Sequence, residues 1–220
     1  MKKIIYTLSL LNLISCNLFK YNTDSNKNIM KKFNIKNFEN LDLDKRYTQS
    51  RNDTFYVNKN QKLRITTTKT NIQVEENSND SAYTSVEIYS TRDSLLMKEG
   101  KSFHYFPVGI WKEYDSSGKL KKTINYDEKF KFSLDNLIDK MNKEFKVNIL
   151  DKDRALCNRY FDKTIEKSFY EISHKTTKEG KQLESFLFDG DSGVLLYRVV
   201  HYPDDKRGSL YDQYIKDSKK

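Results

Sequence analysis

The residues whose side chains could support catalysis are a cysteine and three histidines. Cys157 beside His104, His174 or His201 would pair a thiol nucleophile with an imidazole base. A lone cysteine in an apolar stretch is more often a small buried side chain, and the histidines share no zinc-ligand spacing. We therefore expect neither a catalytic cysteine nor a metal site.

A second candidate is the acidic loop at Asp189, Asp191 and Gly193. A calcium loop of the EF-hand type needs a ligand at its fifth position, glycine at its sixth and a carboxylate at its twelfth. Those positions hold Gly193, Val194 and Val200. The pattern thus favours a tight turn between two strands over a calcium site.

The N-terminal 15 residues have the composition of a secretory signal. Lys2 and Lys3 precede an apolar run over residues 4–14, which is too short to cross a bilayer as a helix, since that takes about 20 residues. The run closes with Leu13, Ile14, Ser15 and Cys16. These residues resemble the lipobox of bacterial lipoproteins. The resemblance implies that Cys16 receives a diacylglycerol and that its acyl chains hold the mature protein on a membrane.

Residues 16–50 are rich in Asn, Lys and Asp, with few apolar residues. This composition is typical of a flexible linker, so we expect a tether between the lipidated Cys16 and a body that begins near Arg51. No acidic cluster follows Cys16, whereas surface-exported lipoproteins often carry one as an export signal. The resemblance therefore favours a periplasm-facing lipoprotein of the bacterial cell envelope.

Residues 51–130 show the alternation of β-strands. Apolar side chains recur at every second position, as in Leu63 and Ile65. This alternation predicts antiparallel hairpins with one face on the core and the other exposed to solvent. The clearest hairpin runs from Phe103 to Tyr126, and its turn contains Gly118, a residue that readily adopts positive φ.

Part of this hairpin also resembles a known repeat. The residues concerned are Gly109, Trp111, Tyr114, Gly118, Lys119, Leu120 and Tyr126. Their order resembles one unit of the MORN-like variant repeats of bacterial envelope and toxin-antitoxin-associated proteins, which are stacked β-hairpins. A poorer copy, offset by 25 residues, lacks the glycine, with Asp93 in its place. The family implies an interaction surface and no shared catalytic residue.

Residues 131–220 are expected to form an α+β region. Ser133 is a good N-cap, and apolar residues recur at helical spacing up to Phe145, which predicts one main amphipathic helix over Ser133–Phe145. Alternating strands follow, among them the two that flank the acidic loop. We expect the helix to pack on this C-terminal antiparallel sheet.

The positive charge does not by itself indicate nucleic acid. The formal charge is +9, and it falls to +7 without Lys2 and Lys3. An envelope protein meets anionic lipid more often than DNA, and lysines on a hairpin are usually solvated. No nucleic-acid partner is expected.

Two function classes stay open. The first is a non-enzymatic binding module that contacts an envelope protein or a toxin, with Tyr105, Phe106, Trp111 and Tyr114 as the candidate contact residues. The alternative is an envelope hydrolase or other enzyme with a dispersed active site. The sequence shows no nucleophile elbow and no phosphate loop, so no cofactor is expected and binding is the preferred interpretation.

Overall fold

The computed structural model describes residues 30–78, 81–177, 181–203 and 208–217. Its backbone forms two antiparallel β-sheets, of eight and four strands, with a short helix near the C-terminus. The prediction of a β-rich fold built from antiparallel hairpins is therefore confirmed.

The larger sheet is a meander in which every strand pairs with its neighbour in sequence. Antiparallel neighbours need only short connections, which explains this simple order. The strands are β1 (Asp42–Leu43), β2 (Asp53–Val57), β3 (Gln61–Thr67), β4 (Asn71–Ser78), β5 (Tyr83–Ser90), β6 (Leu96–Phe103), β7 (Phe106–Tyr114) and β8 (Leu120–Asn125).

The smaller sheet is a second meander with the order β12-β11-β10-β9. Its strands are β9 (Ala155–Asp162), β10 (Lys167–Lys175), β11 (Leu183–Asp189) and β12 (Leu195–His201). Helix α1 (Leu134–Lys140) and a π-helical turn (Met141–Phe145) connect the sheets, and helix α2 (Leu210–Asp217) follows β12.

The turn between β7 and β8 shows how local sequence sets the hairpins. The Asp115 carboxylate accepts hydrogen bonds from the amides of Ser117 and Lys119, at 2.8 and 3.0 Å. Gly118 has φ of 74°, a conformation that costs glycine nothing. The role of Gly118 is as the sequence predicts. The hairpin is shorter than the expected Phe103–Tyr126, because Phe103 ends β6 and residues 104–105 form the turn before β7.

The two sheets share one hydrophobic core. Phe103 and Phe106 of the larger sheet are buried in the same cluster as Leu137 and Met141 of the helical segment and Phe186 of the smaller sheet. Burial of such side chains is the main source of stability in a β-rich body. The β-rich and α+β regions that the sequence distinguishes are thus packed together.

Packing begins earlier in the chain than the sequence indicates. Leu41 is buried against the larger sheet, with Phe33 and Phe38 packed beside it, and a 3₁₀ turn spans Ile35–Phe38. The expected linker over residues 16–50 therefore does not extend through residues 30–50. A few large apolar side chains are enough to order this Asn-rich stretch.

The helix expected over Ser133–Phe145 begins where predicted and is shorter in its α-helical part. The Ser133 hydroxyl accepts a hydrogen bond from the amide of Asn136 at 3.2 Å, as an N-cap does. A π-helical turn begins at Met141, and the helical segment ends at its C-cap Lys146, whose φ is 59°.

Candidate functional site

A groove of about 870 Å³ lies on one face of the larger sheet. In an antiparallel sheet, cross-strand partners share a face and successive residues alternate between faces. The register of β3 to β6 places one set of polar residues together on the groove side: Lys62, Arg64, Glu75, Asn77, Thr84 and Ser102. We call this feature the groove.

One wall of the groove comes from the segment before β2. Tyr47 stacks on Phe55 with ring centroids 4.6 Å apart, and Asp44 is buried beside them. Arg46 binds the Asp44 carboxylate through two hydrogen bonds, at 2.8 and 2.7 Å. Hydrogen bonding from Arg46 lowers the pKa of Asp44, so its carboxylate stays charged at neutral pH.

The other wall is the loop formed by residues 148–153. Lys152 donates a hydrogen bond to the hydroxyl of Thr84 at 3.3 Å. The buried His104 ring bonds the Ile149 carbonyl at 2.8 Å through Nε2. A carbonyl can only accept, so Nε2 carries the proton, and burial lowers the pKa of His104. His104 is thus a neutral support that fixes this wall.

Most charges on the groove floor are neutralised within the protein. Arg64 makes two hydrogen bonds to Asp53, at 2.9 and 2.8 Å, and lies 3.7 Å from Glu75. Hydrogen bonding from Arg64 lowers the pKa of Asp53. Arg64 also lies over the Phe55 ring at 5.4 Å. These contacts hold the side chains in place before any ligand arrives.

The aromatic residues proposed from the sequence do not form one surface. Tyr105 is 85% exposed and lines the groove, whereas Phe106 is buried in the core. Trp111 is half-buried and donates a hydrogen bond to the Lys101 carbonyl at 2.9 Å. Tyr114 packs against the core beside Leu41 and reaches Glu99 at 2.6 Å. Phe106 is therefore unsuited to contact a partner, because it fills the core.

The candidate catalytic residues are also kept apart. Cys157 is fully buried, its sulfur has only the Asn158 carbonyl at 3.9 Å among its described contacts, and burial raises the pKa of its thiol. His174 lies 4.0 Å from Glu184, and His201 bonds Ser185 at 2.9 Å. No described contact links Cys157 to a histidine.

The acidic loop forms a turn. The Asp189 carboxylate accepts hydrogen bonds from the amides of Asp191 and Ser192, at 3.0 and 2.8 Å, and Gly193 has φ of 70°. Across the described ranges, no group of three or more His, Cys, Asp or Glu side chains is placed to hold a metal ion.

Sequence reasoning missed the groove residues Lys62, Thr84 and Lys152. The alternation of β3 marks Lys62 as facing solvent, which is a weak signal of function. Thr84 alternates in phase with Val86 and Ile88, so the sequence places it on the apolar face of β5. Strand register brings Lys62 and Thr84 to one face, and the packing of the loop over 148–153 brings Lys152 beside them.

The proposed lipidation site, Cys16, lies outside the residues that the structure describes. Among those residues, no helix has the length and apolar character needed to cross a membrane. Neither a family model, nor a curated protein, nor a solved structure matches this chain.

Proposed function

We propose that this protein is a membrane-anchored lipoprotein of the bacterial cell envelope that binds another protein and has no catalytic activity. The observation that carries the binding part is the groove, which crosses the polar face of β2 to β6 and has walls on both sides. Its volume of about 870 Å³ lies in the range of ligand sites.

The arrangement of charges favours binding over hydrolysis. A hydrolase needs a nucleophile or activated water beside a base that is free to take a proton. In the groove, the Arg64 guanidinium holds Asp53, Arg46 holds Asp44, and His104 is committed to a backbone carbonyl. Such a site offers fixed charges and hydrogen-bonding groups, as a recognition surface does.

The helical segment over Leu134–Phe145 supports one wall. We infer that it acts as the main amphipathic helix of the fold and covers the smaller sheet. Leu137 and Met141 are buried in the cluster that also contains Val147 and Ile149. Val147 directly precedes the loop over 148–153, and Ile149 is its second residue. Buried neighbours of this kind keep a loop in one position.

The anchoring part of the proposal rests on the residues that resemble a lipobox, ending at Cys16. Acyl chains on Cys16 would keep the groove within reach of other envelope components, facing the periplasm. The proposed partner is an envelope protein or a toxin delivered into the periplasm, as in toxin-immunity pairs.

Affinity capture with the full-length lipoprotein tests this function. Thr84→Trp would fill the groove, and Ser85→Trp would place the same side chain on the opposite face of β5. We expect a partner to be captured by the wild type and by Ser85→Trp and to be lost with Thr84→Trp. Intact mass should show acylation of the wild type and none of Cys16→Ala.

Two results would contradict the proposal. One is turnover of a generic ester, peptide or glycan by the purified protein, with loss of turnover after a single substitution at a groove carboxylate such as Glu75. The other is equal capture by the two tryptophan variants, provided that both retain wild-type thermal unfolding.

A further inference from the structure

We propose that the protein forms a twofold dimer in which strand β12 pairs antiparallel with β12 of a second copy, centred on Val199. Strand β12 lies at the end of the smaller sheet, with β11 as its neighbour. The groove lies on the larger sheet. The inference therefore adds a second interaction surface to the proposed function and does not depend on the groove.

Hydrogen bonds beside the β11–β12 turn fix the direction of each backbone group in β11. The Asp189 amide donates to the Val194 carbonyl at 2.9 Å, whereas the Gly190 amide donates to the Ser168 carbonyl of β10 at 2.6 Å. Successive residues of a strand direct their backbone groups to opposite sides. The odd-numbered residues of β11 therefore bond β12, and the even-numbered residues bond β10.

The strand register then identifies the backbone groups of β12 that face outward. Ser185 of β11 pairs with Val199, so the N–H and C=O of Val199 point toward β11. Those of Arg198 and Val200 point the other way. Among the described residues, no backbone group outside the sheet bonds to either of them. Unpaired groups in a row of this kind are a template for another strand.

Two other edges of the molecule are protected against such pairing. On β2, the Phe55 amide donates to the Gln49 side chain at 2.7 Å, and the Phe55 carbonyl accepts from the Asp44 amide at 2.9 Å. The edge strand β8 carries Lys121 and Lys122, which are both exposed. Lysines on an edge oppose pairing with a second copy, because they bring like charges together.

Strand β12 lacks this protection. Its residues Leu195–His201 include one arginine and no lysine, aspartate or glutamate, and Glu184 of the same chain binds that Arg198 at 2.8 Å. Val200 is 49% exposed, and Val194, which precedes the strand, is 57% exposed. A second strand along this edge would remove apolar surface from water without bringing unpaired like charges together.

The edge is its own complement when the twofold axis passes beside Val199. Arg198 then lies opposite Val200 of the second copy, and Val200 lies opposite its Arg198, so that four backbone hydrogen bonds form. The aliphatic stem of each Arg198 would cover the exposed Val200 opposite it. Centring the pair on Arg198 would instead place two guanidinium groups opposite each other. This self-complementarity is why we assign the edge to a second copy of this chain.

Sedimentation equilibrium of the full-length protein in density-matched detergent tests the dimer. Pairing along one strand gives a small interface, so we expect a dissociation constant of about 10 µM. Val200→Pro removes an N–H that would bond the second copy and that takes no part in the bonds to β11. By symmetry it removes two of the four hydrogen bonds, so it should weaken the dimer by at least about tenfold.

Thr123→Pro is the matched control on β8. The Tyr126 amide donates to the Gly109 carbonyl at 3.0 Å, so by the same alternation the Thr123 N–H points away from β7. This variant should dimerise as the wild type does. Val200→Lys provides a second disruption that needs no proline: it would place a lysine beside Arg198 of the second copy and should also weaken the dimer.

Cysteine crosslinking tests the register. Facing Val199 residues would form a non-hydrogen-bonded pair with Cα atoms about 4.5 Å apart, which is within the range of a disulfide. In intact envelopes, with copper phenanthroline as the oxidant, Val199→Cys should give a covalent dimer and Thr123→Cys should give none. The wild type should also give none, because Cys157 is buried and Cys16 is proposed to carry lipid.

Three results would overturn the inference. The first is a wild-type protein that sediments as a monomer at about 200 µM, well above the expected dissociation constant. The second is equal weakening by Val200→Pro and Thr123→Pro. The third is an adduct of Val199→Cys with a different protein in place of the covalent dimer. Thr84→Trp, which fills the groove, should leave the dimer unchanged, so a failure of this inference is distinguishable from a failure of the proposed function.

Discussion

Arg159 offers a quantitative test of how the two sheets are joined. Its side chain is only 5% exposed; it binds Asp127 at 2.8 Å and the Pro107 carbonyl, and it lies over the rings of Phe106 and Phe130 at 4.9 and 4.5 Å. Arg159→Ala removes two cation–π contacts and the donor to a part-buried carbonyl, and it leaves a cavity. Asp127 is half-exposed and stays hydrated, so its lost ion pair adds little. From the other losses we expect a decrease of about 3–5 kcal/mol in the free energy of unfolding.

Urea denaturation followed by circular dichroism measures this loss, and Arg198→Ala is the matched control. Arg198 also lies over two rings, at 5.6 and 5.5 Å, and binds Glu184 at 2.8 Å, but its side chain is 54% exposed. Its removal should cost about 1 kcal/mol. Equal losses for the two variants would refute the reasoning that burial makes Arg159 important.

Three further perturbations test other parts of the structure. Gly100→Ala should displace Trp111, since a Cβ at this position would lie 2.3 Å from its ring; we expect a red shift of tryptophan fluorescence and a loss of about 1–3 kcal/mol in urea denaturation. Burial raises the pKa of Cys157, so its reaction with a thiol reagent should track global unfolding and should not accelerate when the pH reaches 9. Hydrogen bonding from Arg46 lowers the pKa of Asp44 below its usual 3.8. The stabilising contribution of the Asp44 carboxylate is therefore present above pH 4 and disappears as the pH falls through the folded-state pKa. Asp44→Asn should reduce the fall in melting temperature between neutral and acidic pH.

Local signals predict local structure well in this chain. Gly118 marks a turn that needs positive φ, and Ser133 marks a helix start that needs a side-chain acceptor. Both features depend on only a few neighbouring residues, so sequence alone is sufficient to find them.

Long-range packing is the part that sequence could not supply. An aromatic residue in a hairpin suits a core and a contact surface equally, so the burial of Phe106 and the exposure of Tyr105 follow only from the assembled sheets. The Asn-rich composition before residue 50 predicts a linker, although Leu41 packs in the core. The groove itself depends on register, which brings Lys62 and Thr84 to one cleft from different strands.

Site-specific photocrosslinking in intact envelopes tests the central claim most directly. A photoreactive phenylalanine analogue at Thr84 would lie in the groove, and at Ser85 it would lie on the opposite face of the same strand. The account predicts a discrete protein adduct from position 84 and none from position 85. Adducts from position 85 alone, or equal adducts from both positions, would contradict a binding function for the groove.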